Sequence, residues 1–403
     1  MPTSAPPTVY LHIGMFKSGT TYLQAVLWEN KAALGAAGIL VPGRERPDQG
    51  RAVRDVLDID RWGQADPNKL GAWSRVLREV TRWTGGSVIF SAENLSIATR
   101  AQVRTIVASL EPSQVKVIVT ARDLARVIPA SWQTLTRNGH SWTWGEFVDA
   151  IADPQQQGES PARGFWQKQD LPAVLERWSA AVPVERIHVV TVPKAGSPPS
   201  LLWERFASAA GVADPAAYQI DVPRANESIG AASAELLRRL NPQLRDEVPW
   251  AVYQPVVTNY LSKKVLTART GEPRIGFDYR TSGWVSERAQ QMVESVKAAG
   301  YPVTGDLGDL IPTEASVVAG VSPDDVSDAE LLDSAMATIV SLVHKAGEAP
   351  ANPLRRLRNR RVRTAEPARQ AQPAAADRVR RGLGRLVRSS GQLARSGKRR
   401  LSG

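Results

Sequence analysis

The sequence predicts an α/β fold in which a doubly wound parallel sheet is flanked by helices. Short apolar, β-branched runs alternate with longer segments whose apolar residues recur at helical spacing. The short runs are almost continuously apolar, which indicates strands that are covered on both faces by helices. Because crossovers between parallel strands are right-handed, such an alternation gives a doubly wound core.

Four strong runs and one weaker run are the predicted strands. They lie at residues 8–14, 87–91, 115–121 and 187–192, with the weaker one at 38–42. Helical spacing predicts helices near residues 20–35, 69–82, 100–110, 123–137, 170–181 and 199–210. Residues 141–165 are rich in Trp, Gln, Gly and Pro, and are interpreted as an insertion or a flexible loop.

After about residue 215 the strand pattern fades, and residues 215–350 are predicted to be a helical C-terminal region. Its helices are expected near residues 228–241, 284–299 and 328–346. The second is expected to end at Gly300, since glycine commonly terminates helices. The small and acidic residues at 322–328 are typical of a helix start, so we interpret them as capping residues and not as catalytic ones.

The basic charge of the chain is concentrated in its last segment. Residues 351–403 hold 16 of the 51 Lys and Arg residues but only 2 of the 40 acidic residues, so they carry +14 and residues 1–350 carry −3. This composition predicts a tail that is disordered when free. Residues 378–400 place apolar residues among arginines at roughly helical spacing, which suits a basic amphipathic helix on an anionic membrane surface. A solvated extension and contact with nucleic acid are the alternatives, and the near-neutral body argues against nucleic acid.

The residue types and their order exclude several kinds of chemistry and several kinds of targeting or membrane segment. The chain has no cysteine, which excludes disulfides and thiolate nucleophiles, and its four scattered histidines make no metal-ligand cluster. The N-terminal residues have no charged leader followed by an apolar run, and no stretch reaches the length of a spanning helix. We therefore expect a cytoplasmic protein, with peripheral membrane association if the basic tail binds lipid.

The most informative stretch is residues 8–25, TVYLHIGMFKSGTTYLQA. It predicts a short strand, a tight turn that carries a lysine, and a helix that begins at once. Such a turn gathers backbone N–H groups at the positive end of a helix, which suits a phosphate or a similar oxyanion. Lys17 adds a positive charge to this turn. The hydroxyls of Ser18, Thr20 and Thr21 add hydrogen-bond donors.

The order of residues in this turn differs from that of a nucleotide triphosphatase loop. That loop reads G-x-x-x-x-G-K-[ST], with lysine after the second glycine, whereas Lys17 stands two places before Gly19. Residues 17–24, KSGTTYLQ, resemble the 5′-phosphosulfate loop of the PAPS-dependent sulfotransferases, P-K-[ST]-G-T-T-x-L, with Phe16 in the place of the proline. The likeness is to bacterial and carbohydrate-type members, and the glycine-rich C-terminal phosphate motif of the animal cytosolic enzymes is absent.

This resemblance implies a P-loop-like sulfotransferase fold over residues 1–350, with the core motifs within residues 8–135. It implies PAPS (3′-phosphoadenylyl sulfate) as the sulfuryl donor and no essential metal. The acceptor would be a small molecule, a glycan or a lipid with a hydroxyl or amine group. The donor's phosphosulfate would be held by the loop residues Lys17, Ser18, Gly19, Thr20 and Thr21.

A second segment, VIVTARDLARVIPASWQ at residues 117–133, supports the same resemblance. In the family, an arginine at a strand end and a serine about two helical turns later hold the 3′-phosphate of PAPS, which implies these roles for Arg122 and Ser131. The serine follows the arginine by nine residues, where eight is usual. Pro129 is expected to begin a helical turn, which would place Ser131 in a first turn with unsatisfied N–H groups. The alternative for Arg122 is a surface ion pair with Asp123 or with another neighbouring residue.

The predicted strand ends bring the candidate catalytic residues to one edge of the sheet, where ligands bind in doubly wound folds. Lys17 is expected to stabilise the negative charge on the leaving phosphate. Glu93, directly after strand 87–91, is the predicted base, with pairing to Lys17 or helix capping as the alternatives. Glu29 and His140 are the other candidates for the base.

Aromatic residues near the predicted cleft suggest an acceptor surface. Trp132, Trp142 and Trp144 could stack on a sugar or aromatic acceptor, although tryptophans in a chain of this size mostly fill the core. His12 lies inside strand 8–14 and is expected to be buried and structural.

Two other classes of function compete with the sulfotransferase. A nucleotide-dependent kinase with an atypical phosphate loop would need Mg²⁺, whereas sulfuryl transfer would continue in EDTA. A non-catalytic scaffold whose basic tail binds a membrane or nucleic acid would not bind the desulfated donor, PAP.

Overall fold

Six parallel strands form one sheet in the computed structural model, which describes residues 5–60, 67–153, 160–223, 228–277, 283–313 and 320–348. The strands are Thr8–His12 (β1), Ile39–Leu40 (β2), Ser87–Ser91 (β3), Gln114–Ala121 (β4), Ile187–Thr191 (β5) and Val303–Thr304 (β6). Their order is β2-β3-β1-β4-β5-β6, and every neighbouring pair is parallel. The predicted parallel sheet is confirmed. The short strand β6 was not predicted.

Helices connect and cover the strands. They are Thr20–Glu29 (α1), Lys31–Ala36 (α2), Asp48–Leu57 (α3), Ala72–Arg82 (α4), Arg100–Ser109 (α5), Leu124–Arg137 (α6), Trp144–Ala152 (α7), Pro161–Gln169 (α8), Leu171–Ser179 (α9), Leu201–Ala209 (α10), Ala231–Leu244 (α11), Trp250–Tyr253 (α12, continued by a π-helix over Gln254–Leu266), Gly283–Ala298 (α13) and Asp328–Glu348 (α14). The helices predicted in the C-terminal region are confirmed as α11, α13 and α14.

Both faces of the sheet are buried, as the apolar runs predict. On β1, Val9 and Leu11 belong to an apolar cluster that includes α3, α4, α5 and α9. Tyr10, which points to the opposite face, belongs to a second cluster that includes α1 and α10. A third cluster lies mainly among helices, from α6, α7, α8 and α11 to the π-helix. The helices of this third cluster also supply side chains at the carboxyl ends of the strands, where the candidate site lies.

The interpretation of residues 141–165 as a loop is wrong, because α7 and most of α8 lie there. Thr143 and Glu146 form a reciprocal capping box at the start of α7. Asp324 adds a long-range cap, since its carboxylate accepts hydrogen bonds from the backbone N–H groups of Trp144 and Gly145. The glycine and glutamine residues of this segment are typical of a loop, but the segment contains a helix whose apolar face is buried. Residues 154–159 lie outside the described part of the chain.

The C-terminal region ends in a helix with predicted capping residues. Ser322 caps a short 3₁₀-helix at Pro323–Asp325, and Ser327 accepts a hydrogen bond from the backbone N–H of Glu330 at the start of α14. The chain divides into two compact units, Met1–Ser341 and Leu342–Gly403. The basic segment 378–400 lies outside the described residues, and its membrane role stays a prediction. Within the described residues, no helix combines the length and apolar character needed to cross a bilayer.

Candidate functional site

The turn after β1 contains three residues in the left-handed backbone region. They are Gly14 at φ 52°, Lys17 at φ 67° and Gly19 at φ 83°. A Cβ atom on Gly14 would lie 2.3 Å from Cγ2 of Thr20, so only glycine fits there. Lys17 holds this conformation at a cost of about 1–2 kcal/mol. Strain of this kind persists where the surrounding structure maintains it, and the left-handed turn holds the lysine at the carboxyl edge of the central strand.

Helix α1 begins at this turn, and its N-terminus has no side-chain cap among the described residues. Gly19 is the N-cap and has no side chain to cap the first N–H groups, and the first turn contains no acidic residue. Thr20 is buried, and its hydroxyl donates a 2.5 Å hydrogen bond to Oε2 of Glu93. Thr21 is half-buried, and its carbonyl accepts a hydrogen bond from Arg46. The positive end of the helix dipole is therefore available to an anion in the turn.

A buried hydrogen-bond chain supports the turn from below. Ser18 is fully buried, and its Oγ donates to the carbonyl of Met15 at 2.5 Å and lies 2.6 Å from Oγ1 of Thr120. This series of hydrogen bonds continues from Oγ1 of Thr120 to Nε2 of His12, and from Nδ1 of His12 to Oγ of Ser91. Burial lowers the pKa of His12 to about 3, so the ring is neutral. The prediction of a buried, structural His12 is confirmed, and the Ser18 hydroxyl points into the protein and holds the turn in shape.

Lys17 lies within a group of cations. Burial lowers its pKa to about 8, and Glu93 raises the pKa while the positive charges of three residues lower it further. These three are Arg137 at the end of α6, Lys168 on α8 and Lys263 on the π-helix. None of them was predicted to belong to the site, because each comes from a different element far from the turn in sequence. Together they make the edge of the sheet strongly attractive to an anion.

Helix α8 contacts the turn directly. Nζ of Lys168 lies 5.5 Å from the centroid of the Phe16 ring, and Nε2 of Gln169 donates a 2.9 Å hydrogen bond to the Phe16 carbonyl. Burial lowers the pKa of Lys168, and the carboxylate of Glu93 opposes this shift. Phe16 is thus the residue of the turn through which α8 holds it.

Arg122 follows β4 and faces the same turn. Its Nη1 donates to the carbonyl of Lys17 at 3.4 Å. Burial lowers its pKa to about 10; Arg126 lowers it further and Asp123 raises it. Its buried Nε has no hydrogen-bond partner among the described residues. Asp123 instead forms a salt bridge with Arg126 and caps α6, so the proposed pairing of Arg122 with Asp123 is not seen.

Ser131 does not have the backbone position that was expected. Helix α6 begins at Leu124, and Pro129 lies inside the helix and not at its start. Ser131 therefore lies about two turns into α6. At that depth the backbone N–H groups belong to the hydrogen-bond pattern of the helix, and only those of the first turn are left unsatisfied. The predicted place of Ser131 in a first helical turn is wrong, because Asp123 starts the helix earlier by accepting a hydrogen bond from the backbone N–H of Arg126. A half-buried side chain is the remaining basis for a role of Ser131.

The three candidate bases occupy different surroundings. Glu93 begins a 3₁₀-helix directly after β3, is half-buried and accepts the hydrogen bond from Thr20. Within the described residues it makes no direct salt bridge with a lysine. Glu29 is exposed at the far end of α1, about 13 Å from the turn at 1.5 Å per helical residue. His140 stacks on Trp142 with ring centroids 4.8 Å apart, and burial lowers its pKa, as do Arg245 and Lys168.

Two of the three tryptophans of the predicted aromatic surface are buried in the core, and the third lies at a cavity. Trp132 and Trp144 are only 1% and 3% exposed and pack edge-to-face in the helical core. Trp142 instead lines a cavity of about 620 Å³ beyond the end of α6. The lining residues are Asn138, Gly139, His140, Trp142, Ser160, Asn241, Leu244, Arg245, Val248, Trp250 and Tyr253.

No family model matches the chain, and no curated protein matches it. A functional assignment therefore depends on the geometry and charge of the turn and on the motif that it carries.

Proposed function

We propose that this protein is a PAPS-dependent sulfotransferase, which moves a sulfuryl group from the donor to a hydroxyl or amine of an acceptor. The observation that supports this most is the turn after β1. It combines a lysine held in a left-handed conformation, an uncapped helix N-terminus and a surrounding group of cations. The K-S-G-T-T order of the turn is that of the sulfotransferase loop.

The position of the turn in the sheet supports the same proposal. Strand β1 lies between β3 and β4 in the sheet. From β1 the next strands in sequence, β2 and β3, lie on one side of it, whereas β4 and the later strands lie on the other side. Ligands of doubly wound folds bind at such a switch point, beyond the carboxyl ends of the strands. Lys17, Glu93 and Arg122 all follow these three strands. A P-loop-like sulfotransferase fold accounts for this arrangement.

The residues present fit a donor with two anionic ends. The phosphosulfate would lie at the turn, where Lys17, Lys168 and the start of α1 provide positive charge. The 3′-phosphate would lie at Arg122, whose buried Nε has no partner among the described residues. An arginine that is half-buried and incompletely hydrogen-bonded is suited to bind a phosphate through its planar guanidinium group.

The proposed chemistry assigns one role to each group. The acceptor oxygen or nitrogen attacks sulfur, the bond from sulfur to the bridging oxygen breaks, and its electron pair remains on the phosphate of PAP. Protonated Lys17 stabilises the charge on that oxygen. Glu93 takes the proton of the acceptor, and the hydrogen bond from Thr20 holds the carboxylate beside the turn.

Replacement of Arg122 by alanine is expected to weaken PAP binding by about 10- to 100-fold, since hydrogen bonds to charged groups contribute about 1.5–3 kcal/mol. Turnover at saturating donor should fall less, because the 3′-phosphate is remote from sulfur. Calorimetry with PAP and AMP measures the effect, and the variant should lose most of the preference for PAP. The matched control is Arg78→Ala on the exposed surface of α4. Equal PAP affinity in the Arg122 variant and the wild type would contradict the assignment.

PAP affinity is expected to fall as the pH rises from 7 to 9. The free protein holds Lys17 at a pKa of about 8, and the protonated lysine binds an anion whereas the neutral form does not. The phosphates are fully ionised over this range, since their second pKa is about 6. A Lys17→Met variant should bind more weakly and lose this dependence. A wild-type affinity that is the same at pH 7 and pH 9 would show that Lys17 does not contact the anion.

A transfer assay with labelled PAPS and a panel of sugars, lipids, phenols and amines tests the activity itself. Label should move to an acceptor in the presence of EDTA. Transfer from ATP that stops in EDTA would support a nucleotide-dependent kinase instead. A protein that binds neither PAP nor ATP would be a scaffold.

A further inference from the structure

The cavity beyond α6 is built from four parts of the chain. These are residues 138–142 after α6, Ser160 at the start of α8, residues 241–248 at the end of α11, and the α12 helix. Asn241 connects three of them, because its Nδ2 donates to the carbonyls of Thr136 and His140 and its Oδ1 accepts from the Tyr253 hydroxyl at 2.6 Å. The walls are therefore held in place before a ligand binds, which favours a defined binding site.

Two pairs of stacked rings line this cavity. His140 and Trp142 are parallel to within 10°, and Trp250 and Tyr253 are parallel to within 15° with centroids 5.4 Å apart. Trp142 and Trp250 are half-buried and Tyr253 is only 4% exposed. Flat aromatic faces of this kind bind the apolar faces of sugar rings or aryl groups.

The charge of the cavity is positive. Among the described residues that line it, Arg245 is a cation and none is a carboxylate. Burial lowers the pKa of His140, one of the lining residues, and the positive charges of Arg245 and Lys168 lower it further. Asp246 and Glu247 follow Arg245 in sequence but are exposed and are not among the lining residues. A ligand with a negative charge is therefore favoured over a neutral one.

Two helices connect the cavity to the turn that carries Lys17. Helix α6 ends at Arg137, whose charge acts on Lys17, and the next residues line the cavity. Ser160 lines the cavity and caps α8, whose other end contacts Phe16 through Lys168 and Gln169. The eight residue-to-residue steps from Ser160 to Lys168 span about 12 Å at the helical rise of 1.5 Å per residue. A ligand in the cavity thus needs to extend over a few sugar units to reach the turn.

We propose that this cavity binds the acceptor and that the acceptor is an acidic oligosaccharide. Its rings stack on Trp142 and Trp250, its carboxylate or sulfate group pairs with Arg245, and its reacting hydroxyl extends to Lys17 and Glu93. This inference rests on the proposed sulfotransferase function for the reaction, but the binding itself does not require a donor.

Binding can be measured by calorimetry at low salt, without PAPS, on the full chain. The ligands are a uronic-acid tetrasaccharide and the same tetrasaccharide with its carboxyl groups reduced to alcohols. The wild type should prefer the acidic form by about three- to tenfold, a range that allows for the solvent exposure of Arg245. Arg245→Gln should remove this preference while keeping the binding of the neutral form. Trp142→Ala and Trp250→Ala should each weaken the binding of both forms.

The controls separate this inference from the proposed function. Arg78→Gln, on the surface of α4, should bind both tetrasaccharides like the wild type. Circular dichroism and the melting temperature verify that each tryptophan variant is folded, and either variant alone suffices for the test. Failure of the wild type to bind either tetrasaccharide while it binds PAP would overturn the acceptor proposal and leave the sulfotransferase intact. Binding of the acidic form without any PAP binding would support the cavity and contradict the sulfotransferase. An unchanged preference in Arg245→Gln would overturn the assignment of the anion to that residue.

Discussion

Lys17→Ala is expected to reduce sulfuryl transfer by about 10²–10³-fold, the usual effect of removing one group that stabilises transition-state charge. The loss should fall mainly on kcat, because Lys168 and the start of α1 still attract the phosphosulfate. Steady-state rates with PAPS and any accepted substrate measure the effect. Lys297→Ala, an exposed lysine at the end of α13, is the matched control and should leave the rate unchanged. Activity of the Lys17 variant within threefold of wild type would contradict the assignment.

A glycine at the same position separates activity from stability. Alanine keeps the cost of the left-handed conformation at φ 67°, whereas glycine adopts it freely. Lys17→Gly should therefore be about 1 kcal/mol more stable to unfolding than Lys17→Ala, while both variants lose turnover. Denaturant unfolding compares the two. Equal stabilities would show that the turn relaxes when the lysine is removed.

Glu93→Gln is expected to lower turnover by about 10²- to 10⁴-fold, the range typical of a lost general base. The amide keeps the shape of the side chain and can still accept the hydrogen bond from Thr20, but it cannot take a proton at neutral pH. PAP affinity should change little at pH 7. The measurement is the rate over pH 6–9 together with PAP calorimetry.

The pH profile distinguishes a base from an electrostatic partner. Glu93 raises the pKa of Lys17, so its replacement should move the Lys17 pKa below its present value of about 8. If Glu93 served only to keep Lys17 charged, the variant would be active near pH 6, where Lys17 is protonated, and inactive near pH 9. A base is indicated by a low rate at both ends of the range. Normal rates throughout would show that Glu93 is structural, and His140 would be the next residue to replace.

The sequence by itself determined the features that depend on neighbouring residues. Continuous apolar runs predicted buried parallel strands, and the order of Lys17 and Gly19 predicted a turn that differs from that of a triphosphatase. The strand predictions succeeded at β1, β3, β4 and β5 because strand burial follows local residue type and spacing. The meeting of Lys17, Glu93 and Arg122 at one edge followed from strand ends alone, since parallel strands share an edge.

Only the tertiary structure decided which distant groups join that edge. Arg137, Lys168 and Lys263 act on Lys17 from three separate helical elements, and no spacing in the sequence relates them. The inward direction of the Ser18 hydroxyl depends on Thr120, a residue on another strand. The cavity at Trp142 likewise needs Trp250 from α12. The charges converge because separate helical elements pack at one edge of the sheet, and each of the three cations lies more than a hundred positions from Lys17 in the sequence.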